Sequence, residues 1–122
     1  MTRQRYDEHS TEFGLWTRDQ PELASENTPG MGFITSNLDF IWHNYLTGDW
    51  MLLEEKRHRG YIKRWQQALF DLVDRCCRGD PHYHGFHKLV FEKTNPEDGQ
   101  MWLDGKLITR DELIRFLRFE TL

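Results

Sequence analysis

Asp39, Glu54 and Lys56 are the residues whose types and spacing could do chemistry. They bracket the stretch LDFIWHNYLTGDWMLLEEKR, Leu38 to Arg57, which reads as two apolar strands joined by a turn around Gly48. The expected hairpin has a loop from Leu46 to Asp49 and pairs Tyr45 with Trp50. His43 then stands opposite Leu52, Ile41 opposite Glu54, and Asp39 opposite Lys56. Side chains alternate along a strand, so Asp39, Glu54 and Lys56 emerge on one face at one end of the hairpin, and Glu55 points to the other face.

Two carboxylates and an ammonium gathered at a sheet end have a specific use. Mg²⁺ or Mn²⁺ takes hard oxygen ligands in octahedral geometry, which Asp39, Glu54 and the main-chain carbonyl of Glu55 can supply. Such a metal polarises a phosphodiester and acidifies a water, and Lys56 can orient that water or stabilise developing negative charge. Hydrolysis of a nucleic-acid backbone is the reaction this set suits. The bland alternative is a cross-strand salt bridge, worth little at a surface.

The order of an acid after Leu38, a hairpin, and then Glu54-Glu55-Lys56 resembles the PD-(D/E)xK nuclease superfamily, which includes restriction enzymes, phage nucleases and Holliday-junction resolvases. Leu38 stands where that family often has proline. The resemblance covers roughly residues 10 to 92 in pattern. It implies an α/β fold, a restriction-endonuclease-like mixed central β-sheet flanked by helices, and maps the first acid onto Asp39 and the acid-x-lysine triplet onto Glu54 and Lys56. It also implies an acid on the first helix, for which Glu12 is best placed, with Glu8 or Asp19 behind it. A glutamine on the helix after the triplet is implied as well, met by Gln67 or its neighbour Gln66. The implied metal set is therefore Asp39, Glu54, Glu55 and Glu12, with Gln67 beside the catalytic residues. DNA is the implied substrate, although the same chemistry serves RNA, and a homodimer and a phage or mobile-element setting suit so small a member.

Several elements must position these residues. Ser10 or Thr11 can cap a short helix over STEFGLWTRD, anchored by Phe13, Leu15 and Trp16, and QPELASENTPGMG reads as loop. After the triplet, GYIKRWQQALFDLVDRCC reads as an amphipathic helix with Leu69, Leu72 and Val73 on its buried side. Arg57, Arg59, Lys63 and Arg64 lie close enough to the site to hold a nucleic-acid backbone, and Tyr61 or Trp65 could stack on a base. GFHKLVFEK supplies a third strand, MWLDGKLIT a hairpin turning at Asp104-Gly105, and Thr109 with Glu112 a capping box for a helix through about Leu117. The stripe of Leu113, Phe116 and Leu117 is expected to cover the sheet, though exposed it would suit a dimer interface.

The 122 residues fit one domain over 11–122, with a polar, flexible stretch at 1–10. A formal net charge of −4 excludes charge-driven binding of nucleic acid by the whole surface and leaves room for a local basic face. The adjacent Cys76 and Cys77 form no disulfide framework, which favours a reducing, cytoplasmic setting in a bacterial or virus-infected cell. No stretch approaches the roughly 18 apolar residues of a membrane span, and the N-terminus lacks a signal-peptide core. Cys76, Cys77, His82, His84 and His87 crowd together, but adjacent cysteines and histidines on a strand do not fit a tetrahedral zinc site. The competing class is a non-catalytic binding protein, an inhibitor or assembly factor on the same fold. Metal binding separates the two.

Overall fold

A computed structural model describes residues 12–23 and 36–120, which fall in two units, one within 1–37 and one from Leu38 onward. In the first unit, α1 (Glu12–Arg18) forms where a helix is expected. Its anchors differ from expectation: Phe13 and Trp16 are 71% and 55% exposed and stack on each other with ring centroids 6.2 Å apart. Gly14 lies between them, so the short helix buries little beyond Leu15. The cap at Ser10 or Thr11, Glu8, the stretch 1–10 and most of the following loop lie outside the described residues.

The second unit is a mixed α/β arrangement. Its elements are β1 (Phe40–His43), β2 (Trp50–Lys56), α2 (Arg64–Cys77), β3 (Tyr83–Phe91), β4 (Met101–Leu103), β5 (Lys106–Ile108) and α3 (Arg110–Leu117). The five strands form one sheet in sequence order. All neighbours are antiparallel except β2 and β3, which α2 connects as a parallel pair. A parallel pair needs a crossover, and its inner strand is covered on both faces. Hence Met51, Leu52, Leu53 and Glu54 of β2 are consecutively buried.

Two layers cover the sheet. On one side Leu113 of α3, with Phe116 and Leu117, packs on Leu89, Phe91, Met101, Leu103 and Ile108, so the C-terminal stripe covers the sheet. On the other, Phe70 of α2 stacks on Phe86 of β3 at 5.0 Å. Leu72 and Val73, expected on the buried side of α2, are exposed, because the helix turns Phe70 and the half-buried Gln66, Leu69 and Asp74 toward the sheet. The capping box forms: Glu112 N–H donates to Thr109 Oγ1 at 3.1 Å, and Thr109 N–H to Glu112 Oε1 at 2.9 Å.

The hairpin register departs from the expected one. Phe40 pairs with Leu53, Ile41 with Leu52, Trp42 with Met51 and His43 with Trp50. The loop therefore runs from Asn44 to Asp49, two residues longer than expected. Its cause is local. Asn44 Oδ1 accepts from Leu46 N–H at 2.9 Å and Asn44 O from Gly48 N–H at 2.8 Å, with Gly48 at φ +89°, so the turn begins at Asn44 and Tyr45 is released to solvent. A slip of two residues leaves every side chain on its face, whereas a slip of one would have inverted the strand.

Truncating Met51, fully buried in β2, to alanine should cost about 2–5 kcal/mol of unfolding free energy. Thr109→Ala should cost about 1 kcal/mol through the lost cap, and Leu72→Ala on the exposed side of α2 should stay within about 0.5 kcal/mol. Urea denaturation with unchanged m-values checks the three together.

Candidate metal and phosphate site

The corrected register brings Asp39 opposite Glu54 rather than Lys56, since 39 and 54 continue the pairing of 40 with 53. The two acids hold each other through the main chain. Asp39 N–H donates to Glu54 Oε1 at 3.2 Å, and Glu55 N–H donates to Asp39 Oδ2 at 2.8 Å. Lys56 Nζ lies 3.4 Å from Glu54 Oε2, on the same face one strand period further. Asp39, Glu54 and Lys56 thus meet at the end of β2, as the alternation of the strands requires.

Glu54 is 3% exposed. Burial is the chief cause raising its carboxyl above the ordinary glutamate pKa, and the charge of Asp39 raises it further. The Asp39 N–H and the Lys56 ammonium pull the other way without restoring it. A buried carboxylate beside a second carboxylate is short of positive charge, and this is the electrostatic condition that a divalent cation relieves. The donor set fits such an ion. Within a strand the N–H and C=O of one residue point to the same side, so the Glu55 carbonyl faces the β1 side together with the N–H that meets Asp39. The Glu55 side chain lies on the opposite face, paired with Arg57 Nε at 2.8 Å, and offers the site only its main chain. Among the described residues no three His, Cys, Asp or Glu side chains form a metal cage, so the fit rests on two carboxylates and a carbonyl.

The expected glutamine changes identity. Gln67 Nε2 donates to Asp71 Oδ1 at 2.8 Å along the exposed side of α2, whereas Gln66 Oε1 lies 3.5 Å from Lys56 Nζ. Helical period could have chosen between them, because Gln66 sits four residues before the buried Phe70. Glu12 opens α1 in the first unit, and Asp19 follows that helix.

The basic residues divide into held and exposed. Arg57 is held by Glu55, and Arg59 packs its guanidinium 5.1 Å from the Trp102 ring centroid. The turn carrying Arg59 is strained: His58 and Arg59 have φ of 57° and 59°, and Arg59 N–H donates to Phe91 O at 3.1 Å. Lys63 and Arg64 are exposed at the start of α2, whose first turn contains no acid. The histidines of the CCRGDPHYHGFH segment are engaged by carboxylates: His84 Nε2 meets Asp49 Oδ1 at 2.9 Å, and His87 Nδ1 meets Asp104 Oδ2 at 2.7 Å. Arg59 on Trp102 was beyond sequence reasoning, since 43 residues separate the two and no local pattern links them.

Because the folded protein keeps the Glu54 proton to higher pH than the unfolded chain does, burying this group lowers stability progressively as pH rises from the ordinary glutamate pKa through the raised one. Glu54→Gln should therefore melt at a higher temperature than the parent at pH 7 in EDTA. The difference should close below roughly pH 4, where both states of the parent are protonated. Circular-dichroism melts of the two proteins across that range check the sign.

Comparison with protein-family models, with curated proteins and with solved structures found no match. No helix among the described residues is long and apolar enough to cross a membrane.

Proposed function

We propose that this chain is a divalent-metal-dependent nuclease with a restriction-endonuclease-like sheet, acting on DNA phosphodiesters. The observation that carries the reading is the meeting of Asp39, buried Glu54 and Lys56 at the end of β2. The chain order acid, hairpin, strand with the acid-x-lysine triplet, helix is the order on which the resemblance to the PD-(D/E)xK pattern rests.

Asp39, Glu54 and the Glu55 carbonyl would hold Mg²⁺ or Mn²⁺. When bound, the ion supplies Lewis acidity toward a phosphoryl oxygen and an acidified water. The chain's own residues do the rest. Lys56 carries the positive charge toward which negative charge develops on the phosphate, and Gln66 steadies its ammonium. Lys63 and Arg64, at the positive end of a helix dipole whose first turn carries no acid, attract the backbone of the nucleic acid. Tyr61, 75% exposed just before α2, offers a ring to a base.

Labelled duplex, single-stranded and branched DNA and RNA, incubated with Mn²⁺, Mg²⁺ or EDTA, test the proposal. Cleavage should require the metal and fall roughly a hundredfold or more in Glu54→Ala and Asp39→Asn. Gln66→Ala should lose activity while Gln67→Ala keeps it. No cutting of any substrate, together with no Mn²⁺ binding by calorimetry, would establish the non-catalytic binding protein instead.

A further inference from the structure

His87 stands on the face of β3 that α3 covers, paired with Leu53 of β2 and two residues before Leu89 of the core. Both of its ring nitrogens meet oxygens. Nδ1 lies 2.7 Å from Asp104 Oδ2, and Nε2 lies 2.8 Å from the main-chain oxygen of His84. A carbonyl can only accept. Asp104, once ionised, can only accept as well, and although burial works against its charge, bonds from the His87 ring and from Lys88 N–H hold its carboxyl below the ordinary range. A neutral imidazole carries one N–H, so it satisfies one of these oxygens and turns a lone pair on the other. The imidazolium donates to both.

The chain is shaped for this ring. Gly85 has φ of +101°, and a Cβ there would stand 3.3 Å from His87 Nε2, so glycine is what lets the ring fold back on the His84 carbonyl. The ring is faced by Asp104 on the β4–β5 turn, Asp74 of α2, Leu53 of β2 and Phe116 of α3, while Lys88 points to the other face of the strand. The charged groups among them are both carboxylates. Burial opposes the imidazolium, but Asp104 and the His84 carbonyl outweigh it and raise the pKa above the ordinary histidine value. With 21% of the side chain exposed, the proton can exchange with water.

What this ring supports is the C-terminal end of α3. The Phe116 ring stands across it at 81° with centroids 4.9 Å apart, and Phe119, turned back by a φ of 62°, rests on the His84 ring at 4.8 Å. From the β1 side, Trp42 Nε1–H donates to Leu117 O at 2.7 Å. Beneath this turn lies an apolar cavity of about 200 Å³ lined by Phe40, Trp42, Leu53, Leu89, Leu113 and Leu117. We infer that His87 is a proton-operated latch: protonated, it ties the β4–β5 turn to the main chain of β3 and seats Phe116, and on losing a proton it gives up one of its two oxygens, so that the last turn of α3 lifts from the sheet and opens the cavity. The latch lies on the face opposite Glu54 and does not rest on the nuclease reading.

The folded protein holds this proton to higher pH than the unfolded chain does, so the latch is closed below about pH 6.5 and opens as pH rises through the raised value. NMR of the full parent chain reads both halves of the inference. Long-range proton–nitrogen spectra should show both His87 ring nitrogens protonated, with a midpoint above about 6.5. Amide exchange, corrected for its intrinsic pH dependence, should show the protection of Arg118 and Phe119 N–H falling roughly tenfold through that midpoint, as one charge-assisted hydrogen bond is lost. Leu113 N–H, bonded to Thr109 O at 3.0 Å near the capped start of the helix, should keep its protection. Asp104→Asn, which suits the positive φ of 51° at that turn, should lower the midpoint by about one pH unit or more and carry the exchange step with it. A His87 midpoint at or below about 6.5, protection of Arg118 and Phe119 unmoved through the titration, protection lost equally at Leu113, or a midpoint indifferent to Asp104→Asn would each overturn the inference.

Discussion

A carboxylate buried in an inner strand, within reach of a second carboxylate, is the constraint on which the rest of this structure depends. Removing an ion from water costs several kcal/mol after relaxation, and a neighbouring charge of the same sign increases that cost. Glu54 meets it with one main-chain N–H and one ammonium, which leaves its carboxyl still raised above the ordinary range. A purely structural position at this depth would be served better by leucine, as at Leu52 and Leu53 beside it. The fold holds an acid where the acid is costly, and strain of this kind concentrates where proteins act.

The fold explains how the acid stays there. β2 is flanked on both edges, so its direction is fixed by the parallel pairing with β3 and the antiparallel pairing with β1. Asp39 is not free to drift, because the main chain of β2 engages its side chain and the side chain of Glu54 engages its main chain. Lys56 is steadied from the helix by Gln66. The four side chains come from one strand (Glu54 and Lys56), the residue leading into its neighbour (Asp39) and the helix that follows (Gln66), so the geometry is set by a single connected stretch.

That local origin accounts for what could be read from the chain alone. The common face of Asp39, Glu54 and Lys56 followed from parity, which is insensitive to the true length of the loop. Their pairing did not follow, because it hung on whether the turn opened at Leu46 or at Asn44, and an asparagine side chain closing on Leu46 N–H is a choice between near-equal turns. The strand order after α2, the turn at Asp104 and the capping box at Thr109 were legible because each carries its own short-range signature. The faces of α1 and α2 were less so. Phe13, Trp16, Leu72 and Val73 are apolar yet exposed, and apolar periodicity indicates burial only where a neighbouring surface exists to receive it. Contacts between distant segments, such as Arg59 on Trp102, have no local signature at all.

Chain direction also settles the electrostatics of a protein whose net charge is −4. In a strand-helix-strand unit the helix must begin at the end of the strand that precedes it. The N-terminus of α2 therefore rises beside the last residues of β2, where Lys56 reaches Gln66. The positive end of the α2 dipole, with Lys63 and Arg64 beside it and no acid in its first turn, lies at the end of the sheet that holds the carboxylates. Carboxylates elsewhere are engaged by partners of their own, as Asp74 is by Arg78 and Asp104 by His87. The topology that buries Glu54 in β2 is the same topology that brings the start of α2, with Lys63 and Arg64, to the end of that strand.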